Sequence, residues 1–385
     1  MRLRMGCLVA WLCVFATPVM AETVVLTPVV PPTVAARVWL LVDANSGRPL
    51  AEYEADRSVE PASLTKLMTA YLSFAALRDQ RLTLTQRVPV SEAALKTRGA
   101  QLFLLPAAPP TVDVLLHGLI TVSANDAAMA LAEAVAGSEA VFVQTMNKEA
   151  RRLGMNQTHF KNATGLPHPE HRTTARDVVR LTRALMRDFP QHYPRFAERA
   201  YTYNRITQSN RNALLWLNPY VDGLKTGHTA SAGYALAASA RRDGRRLISV
   251  VMGAVTEAVR TADSLRLLNY GFERFETLRL YSARQDVASL EIFHGRKSTL
   301  EVGFVEDFYV TVPRGTGPLQ AQVIRREPLL APFRFGQTVA TLRVTAGGQT
   351  VGDFPLQALT EMERASWLGR LWDNLRLKYR AWTKR

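Results

Sequence analysis

Ser63 and Lys66 are the first residues along the chain whose types and spacing could do chemistry. Pro61 precedes them and strong helix formers fill 64–77, so a helix is expected to start here. Residues three apart share a helix face, which places the lysine amine within reach of the serine hydroxyl. A neutral lysine could take the serine proton, and backbone N–H groups at the helix start could stabilise an oxyanion. The pair alone also fits a capped, solvated helix start.

Two further short motifs carry polar side chains. Ser123 and Asn125 form S-x-N at a loop-to-helix junction, and Lys225, Thr226 and Gly227 form K-T-G on an expected strand. Each motif alone has an ordinary explanation, since serine and asparagine cap helices and K-T-G can be a plain strand end. The three motifs in this order and in these contexts are the set shared by serine β-lactamases and penicillin-binding proteins.

The chain resembles the low-molecular-weight penicillin-binding proteins, the serine-type D-alanyl-D-alanine carboxypeptidases of bacterial cell-wall metabolism. The resemblance extends over nearly the whole chain after the leader. It includes N-A-T-G-L-P at 162–167, N-R-N at 210–212 ahead of K-T-G, and His228 directly after it. Ala124 stands where many members have glycine, a small departure beside Ser123 and Asn125.

The resemblance implies catalytic roles. Ser63 would attack the penultimate D-alanine carbonyl of a peptidoglycan stem pentapeptide, with Lys66 as base. Ser123 would relay the proton to the leaving amine, Asn125 would hold Lys66 and the substrate amide, and Lys225 would adjust the local field. Water would then cleave the acyl-enzyme. β-Lactam antibiotics, which mimic the substrate end, would acylate Ser63 as covalent inhibitors.

The resemblance also implies substrate-binding residues. Thr226 and His228 would meet the terminal carboxylate, with Arg211 as a candidate countercharge. Gly227 has no side chain, so the substrate could add to the strand edge as an extra strand. Backbone N–H groups of Ser63 and His228 would form the oxyanion hole. The family needs no metal and no organic cofactor, so none is expected.

Three alternatives stay open. A D,D-endopeptidase acting on peptidoglycan cross-links is the nearest enzymatic rival. A class A β-lactamase would carry a Glu-x-x-Leu-Asn signature near 162–172, which is missing although Glu170 is present. A non-catalytic wall-binding protein would be free to lose the serine and lysines, and all three motifs are intact.

Composition and charge narrow the class of partner. The chain has 385 residues, which leaves room for two or three domains, and its content of 47% hydrophobic and 21% charged residues is ordinary for a globular protein. Its net charge of +15 favours anionic surfaces. No zinc-finger pattern and no interleaving of cations with aromatics is found, so nucleic-acid binding is not expected.

Residues 1–21 are typical of a secretory signal peptide. Arg2 and Arg4 precede an apolar stretch that is short for a membrane span, and small residues stand before a cut at Glu22. The only cysteines, Cys7 and Cys13, lie inside it, which excludes disulfides and thiol catalysis in the mature chain. A periplasmic enzyme attached peripherally to the outer face of the inner membrane is expected.

The remaining pattern predicts an α+β fold. A flexible leader over 22–35 precedes a β-lactamase/transpeptidase-like catalytic domain over 36–279. An early hairpin, a central helical block and a late strand meander predict one antiparallel sheet with helices on both faces. Residues 280–358, rich in valine, threonine and glycine, predict a small all-β domain.

The last segment, 359–385, predicts an amphipathic helix. Apolar and aromatic residues share one face and cations occupy the other, which suits a helix lying in a membrane interface. A helix docked on the protein or a coiled-coil contact is the alternative. The apolar face comprises Leu368, Leu371, Trp372, Leu375, Tyr379 and Trp382.

Other residues receive structural interpretations. His168 and His171 are three apart but have no third ligand nearby, so no metal site is expected. Arg260 could hold the outer edge of the site, but a solvated arginine at a helix start is the preferred interpretation. Three aromatic residues are expected in the core: Trp39, Tyr53 and Trp216.

Overall fold

The strands and helices fall into two compact units in the computed structural model, which describes residues 29–325 and 327–383. Within the described residues, a first unit contains 29–285 and 304–314, and a second contains 286–303 and the chain from 315 onward. The expected signal peptide, 1–21, and the first half of the expected leader, 22–28, lie outside the described residues.

The strands, in chain order, are β1 (Val38–Asp43), β2 (Pro49–Tyr53), β3 (Ala200–Tyr203), β4 (Ile206–Ser209), β5 (Val221–Thr229), β6 (Gly233–Arg242), β7 (Arg245–Ala254), β8 (Phe275–Tyr281), β9 (Asp286–Glu291), β10 (Thr299–Gly303), β11 (Phe308–Pro313), β12 (Leu319–Ile324), β13 (Thr338–Ala346) and β14 (Gln349–Ala358). The α-helices are α1 (Lys66–Arg78), α2 (Glu92–Lys96), α3 (Val112–His117), α4 (Asn125–Ala136), α5 (Glu139–Arg152), α6 (Ala175–Asp188), α7 (Leu214–Leu217), α8 (Glu257–Arg274) and α9 (Trp367–Thr383).

The first unit is built on an antiparallel five-stranded sheet in the order β2-β1-β7-β6-β5. Strand β1 from the start of the unit pairs with β7 from its end, and Trp39 lies opposite Val251. The sheet is thus assembled from both ends of the unit, as predicted. Strand β5 lies at its edge, with one side unpaired by any other strand of this sheet.

The α+β fold predicted from the sequence is confirmed. Every residue of β1 is buried, because the sheet is covered on both faces. Val38 and Leu40 enter one core together with the buried sides of α1, α4 and α6, whereas Trp39 and Leu41 enter a second core with α8. This alternation follows from the two-residue period of a strand.

Two local expectations are wrong. Trp39 is buried as expected, but Tyr53 is 55% exposed and Trp216 is 47% exposed. Tyr53 lies on the outermost strand, β2, and Trp216 lies in the short helix α7, so neither side chain has a second layer to cover it.

The segment 304–314 belongs to the first unit, although composition alone groups it with the small β domain. Strand β11 pairs with β8, and Val310 and Val312 are buried there. Valine-rich strands look alike in sequence whichever sheet they join, so the partner strand decides this assignment.

The second unit contains a five-stranded sheet in the order β12-β13-β14-β10-β9, followed by α9. Its core holds the inward side chains of alternating strand residues, among them Leu300, Val302, Leu342 and Val344. The expected C-terminal helix is present and begins at Trp367. In the described part of the chain, no helix combines the length and the apolar character that crossing a bilayer requires.

Candidate active site

Ser63 lies in a tight turn of 3-10 helix, Ala62–Thr65, that leads directly into α1. Lys66 is the first residue of α1, and its Nζ lies 3.1 Å from the Ser63 Oγ. The lysine side chain is 1% exposed, whereas Ser63 is only partly covered. The spacing predicted from the sequence therefore places a buried amine beside an accessible hydroxyl.

Lys66 is held by two further acceptors. Its Nζ donates to Asn125 Oδ1 at 2.6 Å and to the Thr164 carbonyl oxygen at 2.6 Å. Burial, together with the positive charge of Arg211, lowers the pKa of Lys66 to about 7, and Asp126 partly opposes this shift. A large fraction of the amine is thus neutral near pH 7, as an acceptor for a serine proton must be.

Ser123 and Asn125 are positioned by a distorted turn. One π-type turn, Gly118–Val122, is followed by Ser123 in the left-handed conformation, with φ 66°, and Asn125 then begins α4. The Asn125 side chain donates to the Arg98 carbonyl oxygen, and its backbone nitrogen donates to Ala100 O at 2.7 Å. These contacts fix the Asn125 oxygen against Lys66.

The segment 162–166 supplies a contact that sequence reasoning missed. The Asn162 Oδ1 accepts from the backbone nitrogens of Thr164, Gly165 and Leu166, at 3.2, 2.7 and 3.2 Å. This turn aims the Thr164 carbonyl at Lys66. The N-A-T-G-L-P stretch at 162–167 indicated that this segment belongs to the site. The contact itself could not be predicted, because a backbone carbonyl oxygen is present in every residue type.

Lys225 lies within β5, buried, and its Nζ donates to the Thr226 carbonyl oxygen at 3.1 Å. Burial lowers the pKa of Lys225 well below its ordinary value, and the charges of Lys66, Arg211 and Arg260 lower it further. The charge of Lys66 thus disfavours protonation of Lys225, because two positive charges repel each other in a buried site.

Gly227 packs β5 against the turn that carries Ser63. A Cβ at Gly227 would lie 3.2 Å from the Ser63 backbone nitrogen and 3.2 Å from the Pro61 carbonyl oxygen. The glycine therefore has a packing reason beyond the strand addition expected from the sequence. It lets an edge strand approach the serine turn closely.

The predicted residues converge on one cleft of about 380 Å³. Lys66 and Lys225 both lie buried in this region, and the charge of Lys66 contributes to the lowered pKa of Lys225. His228 stacks on Tyr234 with ring centroids 4.0 Å apart. The predicted residues in the cleft wall are Ser63, Ser123, Asn125, Arg211, Thr226, Gly227 and His228.

The interpretation of Arg260 as a solvated residue is wrong. Arg260 is 2% exposed and lines the cleft. Its Nη2 donates to the Arg211 carbonyl oxygen at 3.1 Å and to Glu257 at 2.6 Å. Arg260 therefore holds the backbone of the 210–212 segment, a contact between elements 49 residues apart along the chain.

His171 is part of the packing beneath the serine turn. It is buried, its Nε2 lies 2.9 Å from Thr65 Oγ1, and burial lowers its pKa to about 4. Among the described residues, no group of three or more histidine, cysteine, aspartate or glutamate side chains is arranged to hold a metal ion.

Comparisons with known proteins agree with this geometry. A sequence model of the D-alanyl-D-alanine carboxypeptidase family matches residues 25–256, and a model of the C-terminal domain of penicillin-binding protein 5 matches residues 275–364. The chain is 41% identical to D-alanyl-D-alanine carboxypeptidase DacC of Escherichia coli over 360 residues, covering 91% of this chain and 90% of DacC.

Solved structures show the same relationship. Penicillin-binding protein 5 from Haemophilus influenzae matches with a TM-score of 0.83 and 35% identity, over 88% of this chain and 100% of that chain. A penicillin-binding protein from Listeria monocytogenes in its ampicillin-bound form matches with a TM-score of 0.58 and 30% identity, over 63% of this chain and 99% of that chain. Sequence and structure together show that this chain belongs to the D-alanyl-D-alanine carboxypeptidase family.

Proposed function

We propose that this carboxypeptidase removes the terminal D-alanine from peptidoglycan stem pentapeptides through an acyl-enzyme on Ser63. The observation that carries the proposal is the buried Lys66 amine, 3.1 Å from the Ser63 Oγ and with a pKa of about 7. An amine poised between its two protonation states at neutral pH can accept the serine proton and release it again within one turnover.

Acylation uses four side chains of the site, one as nucleophile and three that move or align the proton. The Ser63 Oγ bonds to the carbonyl carbon of the penultimate D-alanine as its proton passes to Lys66. The C–N bond then breaks as Lys66 gives up that proton through Ser123, which relays it to the departing D-alanine amine. Asn125 keeps the Lys66 amine aligned through its 2.6 Å hydrogen bond. A water oxygen later bonds to the acyl carbon, the bond to the Ser63 Oγ breaks, and the water proton returns to Ser63.

Substrate binding relies on the exposed edge of β5. An extended stem peptide would pair with this edge as a further strand, which supplies main-chain hydrogen bonds. Thr226 and His228 would contact the terminal carboxylate, with Arg211 nearby as its countercharge. The backbone N–H groups of Ser63 and His228 would face the oxyanion. Lys225 would favour the negative charge that develops there.

β-Lactam antibiotics would acylate the same serine, as supported by the ampicillin-bound state of the Listeria monocytogenes relative. Serine, lysine and water supply this chemistry, so the proposed reaction uses no metal and no organic cofactor. The proposed enzyme acts in the periplasm, on the outer face of the inner membrane. Its C-terminal helix α9 would attach it peripherally to anionic phospholipid, which the chain's charge of +15 favours.

The test is digestion of defined muropeptides followed by mass spectrometry, with Ser63→Ala as the matched inactive variant. Loss of one alanine from pentapeptide, absent with Ser63→Ala, is the expected result. Cleavage of cross-linked dimers without that loss would replace the proposal by the endopeptidase alternative. Labelling by a fluorescent penicillin should also disappear in Ser63→Ala.

A further inference from the structure

The polar face of α9 is docked on the second unit. Glu291, the last residue of β9, accepts from both terminal nitrogens of Arg380, at 2.8 and 2.9 Å, and from Arg376 at 3.3 Å. Both guanidinium groups lie over the Phe293 ring, 5.7 and 5.4 Å from its centroid. One carboxylate and one ring thus fix two successive turns of the helix.

A second contact fixes the helix one turn earlier. The backbone nitrogen of His294 donates to the Asp373 carboxylate at 2.6 Å. The Nε2 of the His294 ring lies 2.8 Å from Asn374 Oδ1. Asp373, Arg376 and Arg380 are three and four residues apart, so they share one face of α9. The docked face is therefore the polar one.

The opposite face is apolar and exposed. Lys378 flanks it, also exposed, and no carboxylate among the described residues pairs with it. The apolar side chains recur at spacings of three and four, as on one side of an amphipathic helix. They are Leu368, Leu371, Trp372, Leu375, Tyr379 and Trp382, all at least half exposed.

Docking has a thermodynamic consequence for this helix. A 17-residue helix is marginal in water on its own, because nucleation is costly. The contacts with Glu291 and His294 hold α9 folded before any partner arrives, with its tryptophans facing outward. Tryptophan, tyrosine and a flanking lysine are the side chains that the interface of an anionic bilayer prefers.

We propose that α9 binds an anionic phospholipid surface while it stays docked on the second unit, with Glu291 fixing which face meets the lipid. The inference rests on the membrane attachment proposed above and adds its geometry. The helix is sandwiched between the β sheet and the bilayer. The helix therefore stays fixed to the second unit when it binds the membrane, instead of detaching as a flexible tether. Arg376 and Arg380 face the protein and not the lipid.

Chemical cross-linking tests whether the helix must leave the sheet to bind. The mature chain, from Glu22 onward, has no cysteine, so His294→Cys and Asn374→Cys introduce the only thiols. A short bis-maleimide reagent would lock α9 in its docked position. Binding is measured with vesicles of phosphatidylcholine and phosphatidylglycerol that carry brominated chains, which quench the exposed tryptophans. The locked protein should bind with a Kd within about twofold of the unlocked protein. A tenfold or greater loss, about 1.4 kcal/mol or more, would overturn the proposal.

Glu291→Lys tests the positioning role, with Glu301→Lys as its control on the neighbouring strand β10. In the same double-cysteine background, Glu291→Lys should slow cross-linking at least about fivefold, because like charges then face Arg376 and Arg380. Glu301 is exposed, and among the described residues its side chain forms no hydrogen bond or ion pair with α9, so its variant should cross-link at the parental rate. Equal rates for both variants would show that Glu291 does not position the helix.

Deletion of residues 367–385, which removes α9 and leaves the preceding segment paired with the second unit, distinguishes failure of membrane attachment from failure of the docked geometry. If the truncated chain binds the same vesicles as tightly as the full mature chain, membrane attachment through α9 fails, whatever the cross-linking shows. If truncation abolishes binding and the locked protein also fails to bind, attachment stands and the docked geometry is wrong.

Discussion

Gly165 lies directly against the backbone of Ala62, the residue before the proposed nucleophile. A Cβ placed on Gly165 would come within 1.9 Å of the Ala62 carbonyl oxygen and 2.9 Å of the Ser63 backbone nitrogen. The glycine also has φ +87°, in the left-handed region that other residues rarely adopt. The backbone of the segment 162–166 is therefore in direct contact with the backbone of the serine turn, with no room for a side chain between them.

Gly165→Ala should damage both stability and acylation, because the methyl group cannot fit without moving the serine turn. We expect the free energy of unfolding to fall by about 3 kcal/mol and penicillin acylation to slow at least about tenfold. Denaturant unfolding and stopped-flow labelling would measure the two effects. Gly154→Ala is the control, since Gly154 has φ +75° but a Cβ added there would meet no atom within 4 Å, and it should cost only about 1 kcal/mol.

Asn162→Ala should slow acylation while leaving the overall fold intact. The substitution removes the oxygen that accepts from three backbone nitrogens and thereby frees the Thr164 carbonyl from its position beside Lys66. A loss of about 1–2 kcal/mol in stability and a several-fold drop in the acylation rate are expected.

Asn162→Asp is the rescue control for this prediction, because aspartate keeps the acceptor oxygen. It should recover most of the acylation rate, although it loses the donor to Leu166 O. If aspartate and alanine slowed the reaction equally, the turn would not be what positions the Thr164 carbonyl.

Much of this arrangement follows from local sequence signals. The hydrophobic pattern of β1 and β7 predicted their sheet, and the spacing of Ser63 and Lys66 predicted their contact, because strands and helices have fixed periods. Motif order then predicted which distant residues share the cleft. These predictions are confirmed where the residue type, or its spacing along the chain, determines the contact.

The remaining features depend on long-range packing. The Thr164 carbonyl is a backbone atom that any residue could supply. Arg260 looks like many exposed helix-start arginines until the 210–212 segment covers it. The pairing of β11 with β8 joins residues about 30 positions apart, through a strand whose composition matches either unit. The sequence near each of these residues is the same whether or not the contact forms, so the contact could not be predicted from local pattern.

Arg245→Ala should destabilise the first unit strongly without touching the cleft. Arg245 pairs with the fully buried Asp43 at 2.8 Å and donates to the Gly271 and Phe275 carbonyl oxygens, linking β7 to β1, α8 and β8. Removing it leaves a buried carboxylate without its countercharge, so a loss of about 3 kcal/mol in denaturant unfolding is expected.

An exposed pair provides the comparison for this loss. Arg78 also contacts its carboxylate, Asp79, at 2.8 Å, but both side chains face solvent. Arg78→Ala should therefore unfold close to the parental denaturant midpoint. Comparable midpoints for Arg245→Ala and Arg78→Ala would contradict the assignment of a stabilising role to the buried pair.

The acylation rate should rise with pH through about 7 and then level off. Only the neutral amine of Lys66 can accept the Ser63 proton, and its pKa of about 7 makes the protonated form dominant at lower pH. Arg211 lowers that pKa, so Arg211→Gln should move the midpoint of the profile to higher pH. The measurement is the second-order rate of penicillin labelling across a pH series. Arg57→Gln, which removes an exposed arginine that does not affect the pKa of Lys66, should leave the midpoint unchanged. A midpoint that stays fixed in Arg211→Gln, or a rate that falls as pH rises through 7, would exclude Lys66 as the base.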